Sequence, residues 1–152
     1  MVNQYGDQMS CVFCAIVADQ APAVRIHEDD RYLAILDIRP FSRGHTLVIP
    51  KLHTVDLTDT PAGTLAGMVT LGQRIARAAR ATELADATNV ALNDGPAAFQ
   101  SVRHIHLHVL PRRNGDKLSL AKGMLLRRDS DPQATGRLLR EALARLDADQ
   151  SD

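Results

Sequence analysis

The chain has 152 residues and a mass of 16.6 kDa, and its 18 basic residues balance 18 acidic ones. This length and an apolar fraction of 45% suit one soluble domain with a sizeable core. The neutral balance argues against partners such as nucleic acid or a membrane surface, and no apolar run is long enough to span a membrane. Two cysteines cannot form a secreted disulfide framework, so we expect a cytoplasmic protein.

The predicted elements follow one another without a repeat or a linker. Residues 1–10 are polar and are predicted to form a disordered tail, and residues 11–147 form a single domain. Short β-type runs occupy residues 24–26, 32–37, 45–50, 89–93 and 104–110, and Pro111 is expected to end the last of them.

Two amphipathic helices are predicted from their start signals. Thr60 followed by Pro61, and Asp131 followed by Pro132, each place a capping residue before a proline at the first helical position. Apolar residues then recur at helical spacing after both starts. The order of elements predicts an α+β fold in which about five antiparallel strands pack with two helices.

Three histidines alternate with apolar residues at positions 104 to 108. In a strand, His104, His106 and His108 share one face, while Ile105 and Leu107 share the other. The plain alternative is a solvated strand face on which the histidines have no function, but three alternating histidines would then be an improbable coincidence. A three-histidine metal site fits less well, because alternate residues of a flat strand lie about 7 Å apart. Nucleophilic catalysis by imidazole is the third interpretation.

This segment, His104 to Leu110, resembles the signature of the histidine triad family of nucleotide hydrolases and transferases. Residues 36–40 resemble the ribose-binding strand end of that family, and residues 44–50 resemble its second signature. The resemblance covers roughly residues 11 to 113 and implies the fold of that family, described here as HIT-like.

The resemblance implies a covalent mechanism. His106 would be the nucleophile at the α-phosphorus of a dinucleoside polyphosphate or a nucleoside phosphoramidate, and a nucleotidyl-histidine would form and be hydrolysed. His108 and His45 would contact phosphate or orient the nucleophile. A phosphorylase and a non-catalytic module that binds purine nucleotides remain as alternatives.

The same resemblance implies a set of nucleotide-binding residues. Asp37 would accept hydrogen bonds from the ribose hydroxyls. The other members of the set are Ile38, Asn93, Gln100, Ser101 and His108. Asp37 and Asn93 could instead be turn formers. Phe99 stands where the family has a small residue, so it could narrow the phosphate site or pack on the substrate.

The two cysteines form a Cys11-x-x-Cys14 motif. In a reducing compartment this motif indicates metal ligands or a redox pair, and two small buried cysteines are the plain alternative. A four-coordinate zinc needs two more ligands, for which His53 and His104 are available. Some bacterial members of the resembled family carry such a structural zinc, and matching them implies these four ligands. No cofactor is expected to be required for catalysis itself.

Basic residues are concentrated after the histidines. The stretch from Arg103 to Arg128 has seven basic residues and one acidic residue, which would attract a polyphosphate or simply be a solvated loop. His27 is predicted to be a surface residue. The resemblance also implies a homodimer, with the first predicted helix and a strand at the interface.

Overall fold

The computed structural model describes residues 10–126 and 128–150, so the predicted tail lies outside the described residues except for Ser10. Within that part of the chain, one antiparallel sheet has the strand order β1-β2-β3-β5-β4. The five strands are β1 (Arg25–Glu28), β2 (Tyr32–Leu36), β3 (Thr46–Pro50), β4 (Ala87–Leu92) and β5 (Leu107–Arg112). The predicted α+β class and number of strands are confirmed.

The same described residues contain four α-helices, where the sequence predicted two. They are α1 (Val12–Val17), α2 (Ala62–Arg80), α3 (Lys117–Leu126) and α4 (Pro132–Asp149). Helices α2 and α4 are the predicted ones, whereas α1 and α3 are short and carry no proline start signal. None of the helices described is long and apolar enough to cross a bilayer.

The start signals of the two long helices behave differently. Asp131 caps α4 as predicted, because its carboxylate accepts the backbone N–H of Ala134 at 2.9 Å. Thr60 does not cap α2, since its hydroxyl bonds to Thr54 and to the carbonyl of Asp56. The cap position of α2 is Pro61, which has no side-chain capping bond.

Both faces of the sheet are covered. Tyr32, Ala34 and Leu36 of β2 contribute to a core beneath α2 and α4, and Leu33 and Ile35 contribute to a second core that includes residues of α1. Because alternate residues of a strand point to opposite faces, all five residues of β2 are buried. Helix α1 therefore lies on the sheet face opposite α2.

Strand β5 is shifted from the predicted range 104–110. It begins at Leu107, because the preceding segment bonds to a loop instead of a strand: the N–H of Ile105 donates to the carbonyl of Thr54. Pro111 does not end β5 but pairs with Thr88. The carbonyl of Pro111 accepts from the hydroxyl of Ser42, on the β3 side of the strand and past the last residue pair of β3 and β5. The N–H that proline lacks would point to the same side, so its absence breaks no strand pairing.

Candidate functional site

The imidazole of His106 is held by the backbone of its own segment. Its Nδ1 lies 2.8 Å from the carbonyl oxygen of His104. Because a carbonyl only accepts, Nδ1 carries the proton, and Nε2 of the neutral ring keeps a lone pair. Burial lowers the pKa of His106 from its ordinary 6.5, since the charged ring would lose its hydration. The arrangement therefore favours a neutral ring with a nucleophilic Nε2.

A second pair of imidazoles adjoins His106. Nε2 of His45 lies 2.9 Å from Nδ1 of His108, and the backbone N–H of Phe41 donates to Nδ1 of His45 at 3.2 Å. The Phe41 bond places the proton of His45 on Nε2, so His45 donates to His108. A neutral His108 then carries its own proton on Nε2. The neutral ring of His108 is consequently a donor at Nε2, where His106 is an acceptor.

A cavity of about 240 Å³ lies between α1 and the sheet, and His106 and His108 both line it. Most of its remaining surface is apolar, and the polar groups are few. Such a lining is typical of a site for a small organic ligand. The apolar wall includes Val12, Phe13, Ile16, Ile35 and Leu47.

Asp37 and Ile38 follow β2 directly and line the same cavity. One carboxylate oxygen of Asp37 accepts the N–H of Arg39 at 2.8 Å, so the residue does shape the turn. The other oxygen lies 3.7 Å from Nδ1 of His45. The carboxylate retains unused lone pairs for a ligand. Ile38 is 86% exposed, as a large apolar side chain beside the cavity.

The loop after β4 contains three more predicted binding residues. Gln100 is buried in contacts with the backbone: its oxygen accepts the N–H of Gly95, and its nitrogen donates to the carbonyls of Val55 and Val102. Asn93 donates to the carbonyl of Phe99 at 3.4 Å and lines a separate cavity of about 130 Å³. Of the three, only Ser101 lines the cavity of about 240 Å³ that contains His106.

Phe99 does not narrow the cavity that contains His106. Its side chain is 86% exposed and is not among the lining residues. Its φ angle of 67° lies in the left-handed region, which a small residue such as glycine adopts more readily. The departure from a small residue at this position therefore places strain in the backbone.

Cys11, Cys14, His53 and His104 form a compact cluster, as predicted. Their four donor atoms all lie within 4.8 Å of one another. Nδ1 of His53 is 3.1 Å from Sγ of Cys14, and Nδ1 of His104 is 3.4 Å and 3.6 Å from the two sulfurs. A tetrahedral zinc with ordinary bond lengths separates sulfur and nitrogen ligands by about 3.5 Å. The donor set therefore fits zinc.

The protonation of this cluster also suits a metal. Nε2 of His104 lies 2.8 Å from the carbonyl of Pro50, which leaves the lone pair on Nδ1 directed at the sulfurs. Burial lowers the pKa of His104 to about 4, so the ring is neutral. Burial, helped by Cys11, raises the pKa of the Cys14 thiol to about 12. A metal would displace that thiol proton.

A second group of possible ligands consists of Asp37, His45 and His108. It is a poor metal site, because both ring nitrogens of His45 are engaged by Phe41 and His108. The two histidines of this group are instead hydrogen-bonded to each other.

Two residues with roles at the site were missed by the sequence reasoning. Phe13 packs edge-on against the rings of His104 and His106, with centroid distances of 5.8 Å and 5.1 Å. The apolar spacing of Val12, Phe13 and Ile16 was the available signal for it. Phe41 sets the tautomer of His45 through its backbone, which no side-chain pattern reveals.

His27 and part of the basic stretch lie outside the two histidine clusters. The side chain of His27 is 22% exposed and pairs with Asp29 at 3.1 Å, away from both histidine clusters. In the basic stretch, Arg112 pairs with Asp116, and Arg103 lines a further cavity next to Ser101. The charge of Arg112 is therefore paired with a carboxylate of the same stretch.

Comparison with known proteins gives relatives along nearly the whole chain. An uncharacterized HIT-like protein of Mycobacterium tuberculosis is 74% identical over 95% of this chain and 100% of its own length. The adenosine 5′-monophosphoramidase HNT1 of Saccharomyces cerevisiae is 35% identical over 91% of this chain and 84% of its own. The adenylylsulfatase HINT3 of Arabidopsis thaliana is 40% identical over 73% of this chain, which is 56% of the plant protein.

A solved structure is similar over almost the same range. The zinc-bound histidine triad family protein of Mycobacterium smegmatis is 68% identical, covers 93% of this chain and 98% of its own, and has a TM-score of 0.86. The sequence profile of the HIT domain matches residues 18–115. The chain therefore belongs to the histidine triad (HIT) family.

Proposed function

We propose that the protein hydrolyses nucleoside 5′-monophosphate derivatives at the α-phosphorus through a covalent nucleotidyl-histidine on His106. One observation carries the proposal: the Nδ1 proton of His106 is held by the carbonyl of His104, in a ring that lines a cavity with Asp37. The names of the yeast and plant relatives support this reaction class, because an adenosine phosphoramidate and an adenylyl sulfate both carry the scissile bond at this phosphorus.

The cavity suits a purine nucleoside. The lone pairs of Asp37 can accept from two ribose hydroxyls, and the apolar side chains of α1, β2 and β3 offer surfaces for a planar base. Exposed Ile38 would cover one side of the nucleoside and lose its contact with water. The proposed substrates are dinucleoside polyphosphates, nucleoside phosphoramidates and adenosine 5′-phosphosulfate.

The reaction has two displacements. In the first, the lone pair of His106 Nε2 forms a bond to phosphorus, and the bond to the leaving group breaks with its electron pair on that group. In the second, a water oxygen attacks phosphorus and releases a proton to the solvent, and the N–P bond breaks with its electrons returning to Nε2. The product is a nucleoside monophosphate, and covalent catalysis has divided one difficult step into two.

Donors near His106 would stabilise the negative charge on the phosphate oxygens. The Nε2 proton of His108 and the hydroxyl of Ser101 belong to groups that line the cavity. His45 keeps His108 in that tautomer through their 2.9 Å bond. Fixed donors of this kind can contribute several kcal/mol to transition-state stabilisation. Asn93 and Gln100 would support this region by fixing the loop that carries Ser101.

The Cys2His2 cluster would hold a structural zinc. Four protein ligands, Cys11, Cys14, His53 and His104, would leave no open position for a substrate. When bound, the metal would tie α1 to the segment that precedes β5. Free thiols as ligands suit the reducing cytoplasm, where we place the protein.

The protein would act as a homodimer. Strand β4 is the last strand of the described sheet, and most of its side chains are exposed, including Val90 at 47%. An unpaired edge strand is a natural surface for a second copy. Light scattering on the purified protein would give twice the chain mass, and a monomer would contradict this assembly.

The mechanism is tested with a substrate panel. Wild-type protein and His106→Ala are incubated with adenosine phosphoramidate, adenosine 5′-phosphosulfate and diadenosine polyphosphates, with and without inorganic phosphate. We expect His106→Ala to lose about four orders of magnitude in rate, while His27→Ala, which changes a histidine outside the proposed site, keeps full activity.

Each other outcome corresponds to one alternative. Normal turnover by His106→Ala would overturn the mechanism. A nucleoside diphosphate formed only with phosphate would identify a phosphorylase. Tight binding of adenosine monophosphate without turnover of any substrate would identify a binding module.

A further inference from the structure

A second cavity adjoins the proposed nucleotide site. It measures about 310 Å³ and is lined by Ser10, Cys11, Val12, Ser101, Val102 and Arg103. Three of these residues, Val12, Ser101 and Val102, also line the cavity that contains His106. The two spaces therefore share one wall, and that wall includes Ser101.

The proposed chemistry needs a space of this kind. Asp37 and Ile38 line only the first cavity, so the nucleoside belongs there. A direct displacement at phosphorus expels the leaving group on the side away from the attacking nitrogen. Beyond Ser101, the second cavity offers room for a group that departs from the α-phosphate.

The charge of the second cavity favours an anion. Arg103 is its charged side chain and is exposed, while Ser10 and Ser101 add hydroxyl donors. After the hydrogen bonds from Thr58, Arg103 also contributes to lowering the pKa of Asp56, so a bound anion would compete with this carboxylate for the guanidinium. A guanidinium binds sulfate or phosphate oxygens through two parallel hydrogen bonds, whereas it repels an ammonium group.

We propose that the second cavity receives the leaving group and that Arg103 makes the enzyme selective for anionic leaving groups, sulfate or phosphate, over ammonia. This inference depends on the proposed function. When His106 Nε2 bonds to phosphorus, the bridging P–O bond breaks and the anion takes the bonding electrons. Arg103 would stabilise the charge that this anion acquires. Departing ammonia needs a proton and gains nothing from a guanidinium.

The test is a ratio of two specificity constants. The kcat/KM for adenosine 5′-phosphosulfate is divided by the kcat/KM for adenosine phosphoramidate. Diadenosine polyphosphates supply a second anionic leaving group, an adenosine polyphosphate that departs through a phosphate oxygen. We expect Arg103→Ala to lower the ratio about tenfold, the effect of one charge-assisted hydrogen bond at an accessible position. Arg103→Lys should retain part of the preference, because the charge remains without the planar fork.

Arg113→Ala is the matched control. It removes an exposed arginine of the same basic stretch, and the hydrogen bonds described for Arg113 are made by its backbone N–H and carbonyl. This variant should leave the ratio unchanged. The preference of the wild-type enzyme should also weaken as salt is raised, since an exposed charge is screened.

The outcomes separate this inference from the proposed function. An unchanged ratio in Arg103→Ala, or an equal loss for all substrates, would overturn the role of Arg103 and leave the mechanism intact. If the wild-type protein hydrolyses none of the substrates, or if His106→Ala hydrolyses them normally, the proposed function itself fails.

Discussion

The side chain of His106 is bound to the backbone of His104, at 2.8 Å from Nδ1 to the carbonyl oxygen. The side chain of His104 belongs to the Cys2His2 cluster, and Phe13 contacts both rings. Phe13 lies between Cys11 and Cys14, on the helix that forms one wall of the proposed nucleotide site. The Cys2His2 cluster and His106 are thus parts of one structural unit.

The Cys2His2 cluster predicts that the purified protein contains zinc. Protein purified without chelator should contain about one zinc per chain, because the four donors match a closed tetrahedral site. His53→Ala should lose most of the metal, whereas His27→Ala should retain it. Elemental analysis measures the content directly, and metal-free wild-type protein would disprove the assignment.

Zinc removal should weaken nucleotide binding. Without the metal, α1 loses its tie to His104, and both Phe13 and the carbonyl that holds His106 become less well fixed. We expect the affinity for adenosine monophosphate, measured by calorimetry, to fall about tenfold in chelator-treated protein and to return with zinc. By reciprocity, saturating nucleotide should strengthen zinc binding by the same factor.

A destabilised control separates this coupling from a general loss of stability. Leu139→Ala removes a buried side chain from the core beneath α2 and α4, whereas Cys11 and Cys14 belong to the second core on the other face of the sheet. It should lower the midpoint of urea unfolding but keep the nucleotide affinity. Equal affinities with and without zinc would refute the coupling.

Two glycines of α2 should respond in opposite ways to alanine. A Cβ at Gly67 would lie 1.9 Å from the hydroxyl of the buried Tyr32, and that hydroxyl donates to the carbonyl of Thr64. Gly67→Ala should therefore reduce the free energy of unfolding by about 1–3 kcal/mol. Gly63 has nothing within 4 Å, so Gly63→Ala should increase it by up to about 1 kcal/mol. Urea denaturation of both variants compares them, and a neutral Gly67→Ala would contradict the packing.

Asp116 should titrate at an unusually low pH. The Arg112 guanidinium, followed by the N–H of Arg113, lowers the pKa of this carboxyl from 3.8 to about 2. Because the folded value is the lower one, the stabilisation is complete above pH 3.8 and is lost as the pH falls through about 2.

Carbon NMR of the carboxyl groups measures this titration. Arg112→Met should return the midpoint towards 3.8, whereas Arg113→Ala should leave it low, since that substitution keeps the backbone donor. A midpoint near 3.8 in the wild-type protein would contradict the ion pair.

Much of the site could be predicted from local pattern. The period-two spacing of His104, His106 and His108 separates the imidazoles from Ile105 and Leu107 even though β5 begins only at Leu107. The Cys11-x-x-Cys14 motif indicated metal ligands or a redox pair, because the two thiols are close in sequence and a reducing compartment disfavours a structural disulfide. The start of α4 at Asp131 is local in the same way.

Contacts between distant segments were decided only by the tertiary structure. The chain packs Cys14 against His53 and against His104, which are 39 and 90 residues away, and His45 against His108, 63 residues away. It also binds the side-chain amide of Gln100 to the backbone of Gly95 and Val55, and it places Arg103 on a cavity wall. The sequence by itself determined which chemical groups were present and on which local face. Their partners, tautomers and cavities depend on how the sheet, α1 and the loops pack, and no local spacing specifies that packing.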